Sequence, residues 1–433
     1  MTHLPAWWNA LDAVTRRNFL LEIVYCIGAG IVSGLVLVAQ VVAVGSLGDR
    51  SLYATVMVAA QPSLALLLPF WAQAARTYRL FDLAIIGAAL RCLPMLAVAW
   101  IDEPWQLTAV VIGYYLFGGP ATLAIPALYK YAYPDEHRGK MIGILRLVQN
   151  GLTVPVLVGV SLWCDVEPSA YQIAYPIGGV IGLLGVMVYS LRKIANDSPE
   201  HRRERSEPAT WSGMRQVMQK DVSFGLFQAT IFLTGAGFLL SRGVWLYLLR
   251  EHFHLSQFSI TLLVMIFPVI LGGITSPFWG WLIDRTSPVA GRVAFALMGI
   301  PAYFALFASF YFDWLFLAFL GAALRGVVLG AAEVSTTTGN LYFADKPERA
   351  ALYESISSVF QGLRGMTMPP LGWALYQSLL WFSLPTAFMF LTPLAFNFWS
   401  LAIAWRLWKQ DQHERIHAEQ TIGDELDESA EHV

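Results

Sequence analysis

The chain has 433 residues, of which 56% are hydrophobic and only 13% are charged, and its net charge is −2. Soluble proteins carry roughly 25% charged residues, so this composition excludes a soluble fold and indicates a chain surrounded mostly by lipid. Apolar segments cover nearly all of positions 19–407 and leave no room for a sizeable soluble domain.

Twelve helices are predicted, because a helix needs about 20 apolar residues to cross a bilayer. The first six are predicted at 19–45, 51–74, 80–101, 105–129, 140–164 and 170–193, and the second six at 223–249, 257–282, 292–311, 314–340, 351–377 and 383–407. The predicted fold class is therefore an all-α integral membrane protein with twelve transmembrane helices in two six-helix halves.

The halves are predicted to comprise residues 1–193 and 223–410. Residues 194–222 form a polar, charged segment that we expect to be a cytoplasmic linker. Residues 411–433 form an acidic tail poor in apolar residues, which we expect to be disordered.

Related sequence patterns recur about 208 residues apart, which indicates an internal duplication. Gly28-Ala29-Gly30 recurs as Gly235-Ala236-Gly237, and Pro69-Phe70-Trp71 recurs as Pro277-Phe278-Trp279. A duplicated unit of several membrane helices is typical of a transporter built around a central site.

Lysine and arginine are concentrated in alternate loops, beginning with Arg16 and Arg17, whereas the opposite loops carry acids such as Asp102 and Asp165. Positive charge marks cytoplasmic loops, so both termini are predicted to be cytoplasmic. We expect a monomer in the plasma membrane, the inner membrane if the cell is bacterial.

Neither the thiols nor the histidines of the chain are arranged as a catalytic or metal site. Cys26, Cys92 and Cys164 lack ligand spacing and are predicted to be buried apolar thiols, and the histidines lie mostly in loops or the tail. The polar segments contain no nucleotide-binding loop. We therefore expect no metal, no cofactor, no nucleic-acid partner and no enzymatic activity.

One loop motif carries a family resemblance. The second half reads Gly280-Trp281-Leu282-Ile283-Asp284-Arg285, followed by Gly291-Arg292, whereas the first half keeps Pro69-Phe70-Trp71-Ala72 with Arg76 and Arg79 but lacks the acid. Together with twelve spans, two halves and a central loop, this pattern resembles the major facilitator superfamily.

The resemblance implies a gating role for Gly280, Asp284, Arg285 and Arg292. A glycine lets two helices approach closely, and the aspartate can face a helix N-terminus and the loop arginines. Such a cluster would close the cytoplasmic side and break when the site opens inward. Only the second half should form it.

The resemblance also extends to the fifth span of each half. The charged entries Asp135 to Lys140 and Lys346 to Arg349 resemble the family's, and Gly151 and Gly362 match its helix-packing glycines.

Ionisable groups at membrane depth are candidates for function. At 1.5 Å rise per residue, Arg325 lies about 24 Å from the cytoplasmic face, Arg364 about 20 Å, Glu333 about 12 Å and Arg146 about 9 Å. The resemblance implies that these residues are on spans bordering the cavity. Gln40 on the first span is a further polar candidate.

Two interpretations of the Arg325, Arg364 and Glu333 group stay open. The arginines could clamp an anionic solute while Glu333 takes part in proton coupling, or Glu333 could neutralise an arginine in a structural ion pair. Arg91 is expected to support packing or reach an interface. Glu22 is expected to be a proton site or an acid that reaches the inner interface, with the second favoured.

The predicted function is secondary transport of a small solute across the bilayer by alternating access. Intramembrane charge is mostly positive, which favours an anionic solute. The alternative is a transporter-like receptor or a lipid scramblase that uses the same fold without solute flux.

Overall fold

A computed structural model describes residues 8, 11–49, 51–194, 211–344 and 350–431, and these residues are helical apart from short connections. The helices before the linker are α1 Ala13–Gly45, α2 Leu52–Leu64, α3 Leu68–Thr77, α4 Leu80–Leu90, α5 Leu93–Leu96, α6 Pro104–Ala132, α7 Asp135–Val166 and α8 Tyr171–Tyr189. Those after it are α9 Trp211–Lys220, α10 Val222–Glu251, α11 Gln257–Thr261, α12 Phe267–Arg285, α13 Pro288–Phe312, α14 Leu315–Phe343, α15 Ala350–Trp381 and α16 Leu391–Glu431.

Ten helical segments of the described chain are long and apolar enough to cross a membrane. The predicted second and eleventh spans are also helical, as α2–α3 and α15, but fall outside these ten. The all-α membrane fold is therefore confirmed, and the count of twelve spans stays a prediction.

The predicted second span is not one continuous helix. A 3-10 turn at Ala65–Leu67 separates α2 from α3. Pro69 lacks the N–H that would bond to the carbonyl of Ala65, so the chain tightens locally at this point.

Two polar segments differ from the sequence-based expectation. The predicted linker ends in helix α9, while its residues 195–210 lie outside the described part of the chain. The tail predicted to be disordered from 411 instead continues α16 to Glu431. Its many Glu, Gln and Ala residues are good helix formers, which explains the difference.

The chain divides into two compact units that are not continuous in sequence. The first unit comprises Met1–Glu207, Leu239–Ile266 and Gln361–Ser378, and the second comprises Pro208–Phe238, Phe267–Phe360 and Leu379–Val433. Helices α10 and α15 thus contribute residues to both units. The halves 1–193 and 223–410 stay a prediction.

Each unit has its own apolar core. In the first unit, Phe19, Tyr25 and Leu128 belong to one buried cluster that also contains Cys26. In the second unit, Phe224, Phe227 and Tyr353 belong to another. All three cysteines are free and buried, as predicted.

The two glycines matched to the family differ in their packing. A Cβ atom at Gly362 would lie 2.5 Å from Leu66 Cγ, so only glycine allows this helix approach. A Cβ atom at Gly151 would meet nothing within 4 Å. Gly362 therefore is a packing glycine in this state, and Gly151 is not.

Candidate functional site

Arg325 is buried in the second unit, ten residues into α14, and its side chain is only 5% exposed. Its Cζ lies 4.6 Å from the ring centroid of Phe238 on α10 and 5.7 Å from that of Tyr303 on α13. A guanidinium over aromatic faces away from water gains about 2 kcal/mol. Two neighbouring helices therefore hold this cation in a fixed position on α14.

Glu333, the predicted proton-coupling residue, is on the same helix as Arg325. Eight residues separate them, which corresponds to about 12 Å along the helix axis. The Glu333 side chain lies outside the described part of the structure. Its role in proton coupling stays a prediction.

The other three predicted solute-binding residues belong to the first unit. Arg364 is half-buried in α15, and Arg146 is exposed on α7, where its Nη1 donates to Gln149 Oε1 at 3.4 Å. Gln40 is buried in α1, and its Oε1 accepts no hydrogen bond from the described residues. Each unit thus holds part of the predicted set.

The predicted gating residues are in different environments. Arg285 is exposed at the end of α12, with its Cζ 4.5 Å from the ring centroid of Trp281. A Cβ atom at Gly280 would meet nothing within 4 Å, so no close helix approach requires glycine there in this state. The Asp284 side chain and residues 345–349 lie outside the described part.

Arg292 is buried inside the second unit rather than exposed in a loop, with 1% of its surface exposed. Its Nη2 donates to the Thr230 carbonyl at 2.9 Å and to Thr234 Oγ1 at 2.6 Å, while Nε donates to Thr230 Oγ1 at 3.2 Å. The guanidinium also lies 4.4 Å from the Phe295 ring centroid. Arg292 therefore fixes the start of α13 to α10, and its gating role stays a prediction.

Glu22 does not reach an interface, and this expectation was wrong. It forms an ion pair of 3.0 Å with Arg192, and both side chains are fully buried. Glu22 Oε2 also accepts a hydrogen bond from the Tyr133 hydroxyl. Burial raises the pKa of Tyr133, which keeps the phenol protonated as a donor.

Arg91 supports packing, which was the first of the two expectations for this residue. Its Nη2 donates to the Tyr25 hydroxyl at 2.7 Å. The guanidinium also lies 5.9 Å from the Tyr25 ring centroid and 5.6 Å from that of Tyr114. This contact joins α1, α6 and the turn that follows α4.

Sequence reasoning missed the role of Asp165, which it used only as an acidic marker of one membrane side. At the end of α7, Asp165 Oδ1 accepts from the Gln257 N–H at 2.7 Å and Oδ2 from the Phe258 N–H at 3.0 Å. Gln257 Nε2 in turn donates to Ser46 Oγ at 3.2 Å and to the Cys164 carbonyl at 3.3 Å. The carboxylate thus caps α11 from 92 residues away in sequence.

A polar network in the second unit was also missed. Gln228 Nε2 donates to Asn340 Oδ1 at 2.9 Å, and Asn340 Nδ2 donates to Glu354 Oε2 at 2.6 Å. The Ser357 hydroxyl donates to Gln228 Oε1 at 2.9 Å. These residues join α10, α14 and α15 with hydrogen-bonded side chains, a common way for membrane helices to associate.

Ten long apolar helices in the described part of the chain, with arginines and polar networks buried among them, are typical of a multi-pass membrane protein with a polar interior. The family model of the Major Facilitator Superfamily matches residues 19–363. The chain belongs to the Major Facilitator Superfamily. No curated protein matches it in sequence.

Solved transporter structures share the fold. The nucleoside transporter NupG is 12% identical to this chain, with a TM-score of 0.63, and the match covers 92% of this chain and 98% of the NupG chain. A bacterial homologue of the human lysosomal transporter Spinster is 13% identical, with a TM-score of 0.61, and the match covers 94% of this chain and 97% of the homologue. The xylose transporter XylE from E. coli is 12% identical, with a TM-score of 0.59, and the match covers 91% of this chain and 96% of the XylE chain.

These findings together define the function class. The chain is an integral, multi-pass membrane protein and a secondary transporter of small-molecule solutes, rather than a catalyst. At 12–13% identity, the structural likenesses carry the fold and not the solute.

Proposed function

We propose that this transporter moves a small anionic solute, bearing a carboxylate or a phosphate, by alternating access, and that Arg325 binds the anionic group. The observation that carries the proposal is the placement of Arg325. A fixed cation deep in the membrane attracts an anion strongly, because the surrounding low dielectric screens the charge poorly. The planar guanidinium also matches carboxylate and phosphate geometry with two parallel hydrogen bonds.

The competing role for Arg325 is purely structural, because its stacking on Phe238 and Tyr303 also ties α14 to α10 and α13. Arg292 is an example of that role in the same unit, with its donors directed to Thr230 and Thr234. Arg325 differs from Arg292 in that its guanidinium lies between two helices that each present a ring, Phe238 on α10 and Tyr303 on α13. A guanidinium that stacks through its face keeps its N–H edge directed away from the rings.

The remaining parts of the proposal rest on charge placement. Arg364, Arg146 and Gln40 contribute further contacts to the solute, and Glu333 couples transport to protons. Asp284 and Arg285 close the cytoplasmic side, and both termini are cytoplasmic. The protein acts as a monomer in the plasma membrane, the inner membrane in a bacterial cell.

Ligand-dependent thermal stabilisation of the purified protein tests the solute class. A ligand that binds only the folded state raises the melting temperature in a concentration-dependent way. Among organic anions, organic cations, sugars and nucleosides, we expect stabilisation by anions. Arg325→Ala should abolish that shift, and Arg325→Lys should weaken it, since lysine keeps the charge but loses the planar fork.

Arg91→Ala is the matched control, because it also removes an arginine, partly buried, that stacks on two rings. It should lower the melting temperature of the free protein while keeping the shift that the anion causes. An anion shift that survives in Arg325→Ala would contradict the proposed binding role. Stabilisation by lipids alone would favour a receptor or scramblase.

A further inference from the structure

A groove of about 560 Å³ lies on the surface of the first unit, where α1 begins. One end is cationic, with Arg16 and Arg17, and the other is apolar, with Leu20, Leu21 and Val24. Trp8 lines the groove beside the arginines. The groove is therefore amphipathic along its length, and none of its residues takes part in the proposed solute site.

The residue spacing along α1 places the cationic and the apolar end of the groove in line. Leu20, Val24 and Ile27 follow one another at intervals of three or four residues and are 52%, 43% and 37% exposed. Side chains at this spacing occupy one face of a helix, so they form a continuous apolar stripe that begins one turn after Arg16 and Arg17. An exposed apolar stripe on a membrane helix faces acyl chains.

The cationic end is held in place by neighbouring contacts. Arg17 Nη2 donates to the Leu191 carbonyl beyond the end of α8 at 3.4 Å, and the Trp8 ring packs 5.9 Å from that of Phe19. The nearest described acid on this segment, Asp12, accepts hydrogen bonds from the Val14 and Thr15 N–H groups as the cap of α1. Hydrogen bonds with the Thr15 side chain and with these N–H groups lower the pKa of Asp12 and engage its carboxylate with the helix.

We propose that this groove binds an anionic phospholipid, with the headgroup phosphate at Arg16 and Arg17 and one acyl chain along Leu20 and Val24. The charge complementarity and the order of the two ends along the helix match that amphiphile. A second copy of the chain fits poorly, because a two-fold contact through this surface would bring four arginines together. Another groove, lined by Val293, Leu297, Phe398, Leu401, Ala402 and Trp405, is purely apolar and should not distinguish headgroups.

Native mass spectrometry of the full chain in detergent tests the site. Phosphatidylglycerol and phosphatidylcholine with identical acyl chains are titrated separately, and the dissociation constants of the first bound lipid are compared. A basic residue near a membrane surface contributes about fivefold in affinity for an anionic headgroup, so Arg16→Ala/Arg17→Ala should weaken phosphatidylglycerol binding about 25-fold. Phosphatidylcholine binding should change little.

Arg79→Ala/Arg406→Ala is the matched control, because it removes the same charge from exposed positions outside the groove. It should preserve the preference for phosphatidylglycerol. The charge-preserving variant Arg16→Lys/Arg17→Lys should retain most of the preference and shows whether loss in the alanine variant comes from charge rather than misfolding.

Three results would overturn the proposal. An undiminished preference in Arg16→Ala/Arg17→Ala would exclude the groove. An equal loss in Arg79→Ala/Arg406→Ala would show a general charge effect. Displacement of phosphatidylglycerol by millimolar inorganic phosphate would assign the cationic end to a free anion instead of a lipid.

Discussion

At the residue scale, the buried arginines differ in what contacts their guanidinium groups. Arg192, Arg292 and Arg325 all lie over aromatic rings. Arg192 also pairs with the carboxylate of Glu22, and Arg292 also donates to hydroxyl and carbonyl oxygens of α10. The first two arrangements hold helices together through polar atoms that would be costly to leave unpaired. The proposed anion site relies on the contacts with Phe238 and Tyr303, which fix the position of the Arg325 charge.

Replacing Glu22 by Gln should strongly destabilise the first unit. The change removes the charge that neutralises Arg192 in a fully buried pair. Breaking such a pair on one side costs roughly 3–5 kcal/mol, because the remaining charge stays buried. Thermal unfolding of the purified variant measures the effect.

Asp82→Asn is the control for Glu22→Gln, because Asp82 is an exposed acid in the first turn of α4. It should change stability by no more than about 0.5 kcal/mol. Removing both charges, in Glu22→Gln/Arg192→Met, should recover part of the loss. Similar melting temperatures for Glu22→Gln and wild type would show that the ion pair is not needed for stability.

At the element scale, one carboxylate links α7 to α11. Asp165 accepts both N–H groups at the start of α11, and Gln257 extends the contact to Ser46 beyond the end of α1. A charged cap at a helix N-terminus is favoured by unsatisfied donors and by the helix dipole. In an alternating-access cycle, a junction of this kind would have to break when its side of the protein opens.

Asp165→Asn should loosen this junction, because an amide carbonyl replaces a carboxylate that accepts two N–H groups. Cys164 is a native reporter, since its thiol is buried and its carbonyl accepts from Gln257. In a background with Cys26→Ala and Cys92→Ala, we expect Asp165→Asn to raise the rate of Cys164 alkylation about tenfold. That factor corresponds to about 1.4 kcal/mol, within the typical contribution of a cap.

Glu167→Gln is the matched control for Asp165→Asn, since Glu167 is an exposed acid two residues away that contacts Ser169. In this variant, Cys164 should be alkylated at the same rate as in the Cys26→Ala/Cys92→Ala parent. Equal rates in the parent and in Asp165→Asn would mean that the cap does not hold the junction closed.

At the scale of the whole molecule, the proposed cycle needs a contact on the cytoplasmic side as well. The motif around Asp284 and Arg285 is the candidate, and Arg285 is exposed beside Trp281 in the described state. A Cβ atom at Gly280 would meet nothing within 4 Å, so there is free space beside this glycine in this state. If Asp284 holds the cytoplasmic side closed, loss of its charge should shift the equilibrium between the inward-closed and inward-open states.

Asp284→Asn should favour opening toward the cytoplasm. In a cysteine-free background, Thr336→Cys places a thiol three residues after Glu333, toward the predicted cytoplasmic end of α14. We expect Asp284→Asn to raise the labelling of this thiol several-fold in inside-out vesicles, in line with a coupling of about 1 kcal/mol.

Asp313→Asn is the control for Asp284→Asn, because Asp313 caps the other end of α13 at φ 59°, a left-handed conformation that asparagine also tolerates. Labelling of Thr336→Cys should stay at the parent level in this variant. An Asp284→Asn variant that labels like the parent would refute the latch.

Membrane insertion, the all-α fold and the family could be predicted from the sequence, because lipid imposes its constraint on each helix separately. About 20 apolar residues suffice to define a span, whatever its neighbours are. The motif from Gly280 to Arg285 and its partial repeat at Pro69 to Trp71 identified the family in the same local way.

Only the tertiary structure decided which buried groups meet. Arg192 and Glu22 are far apart in sequence, as are Asp165 and Gln257, and nothing local pairs them. A charged residue in an apolar run indicates that some partner is needed, since an isolated charge in lipid is costly. Which residue provides that partner depends on how distant helices pack, and that information is distributed over the whole chain.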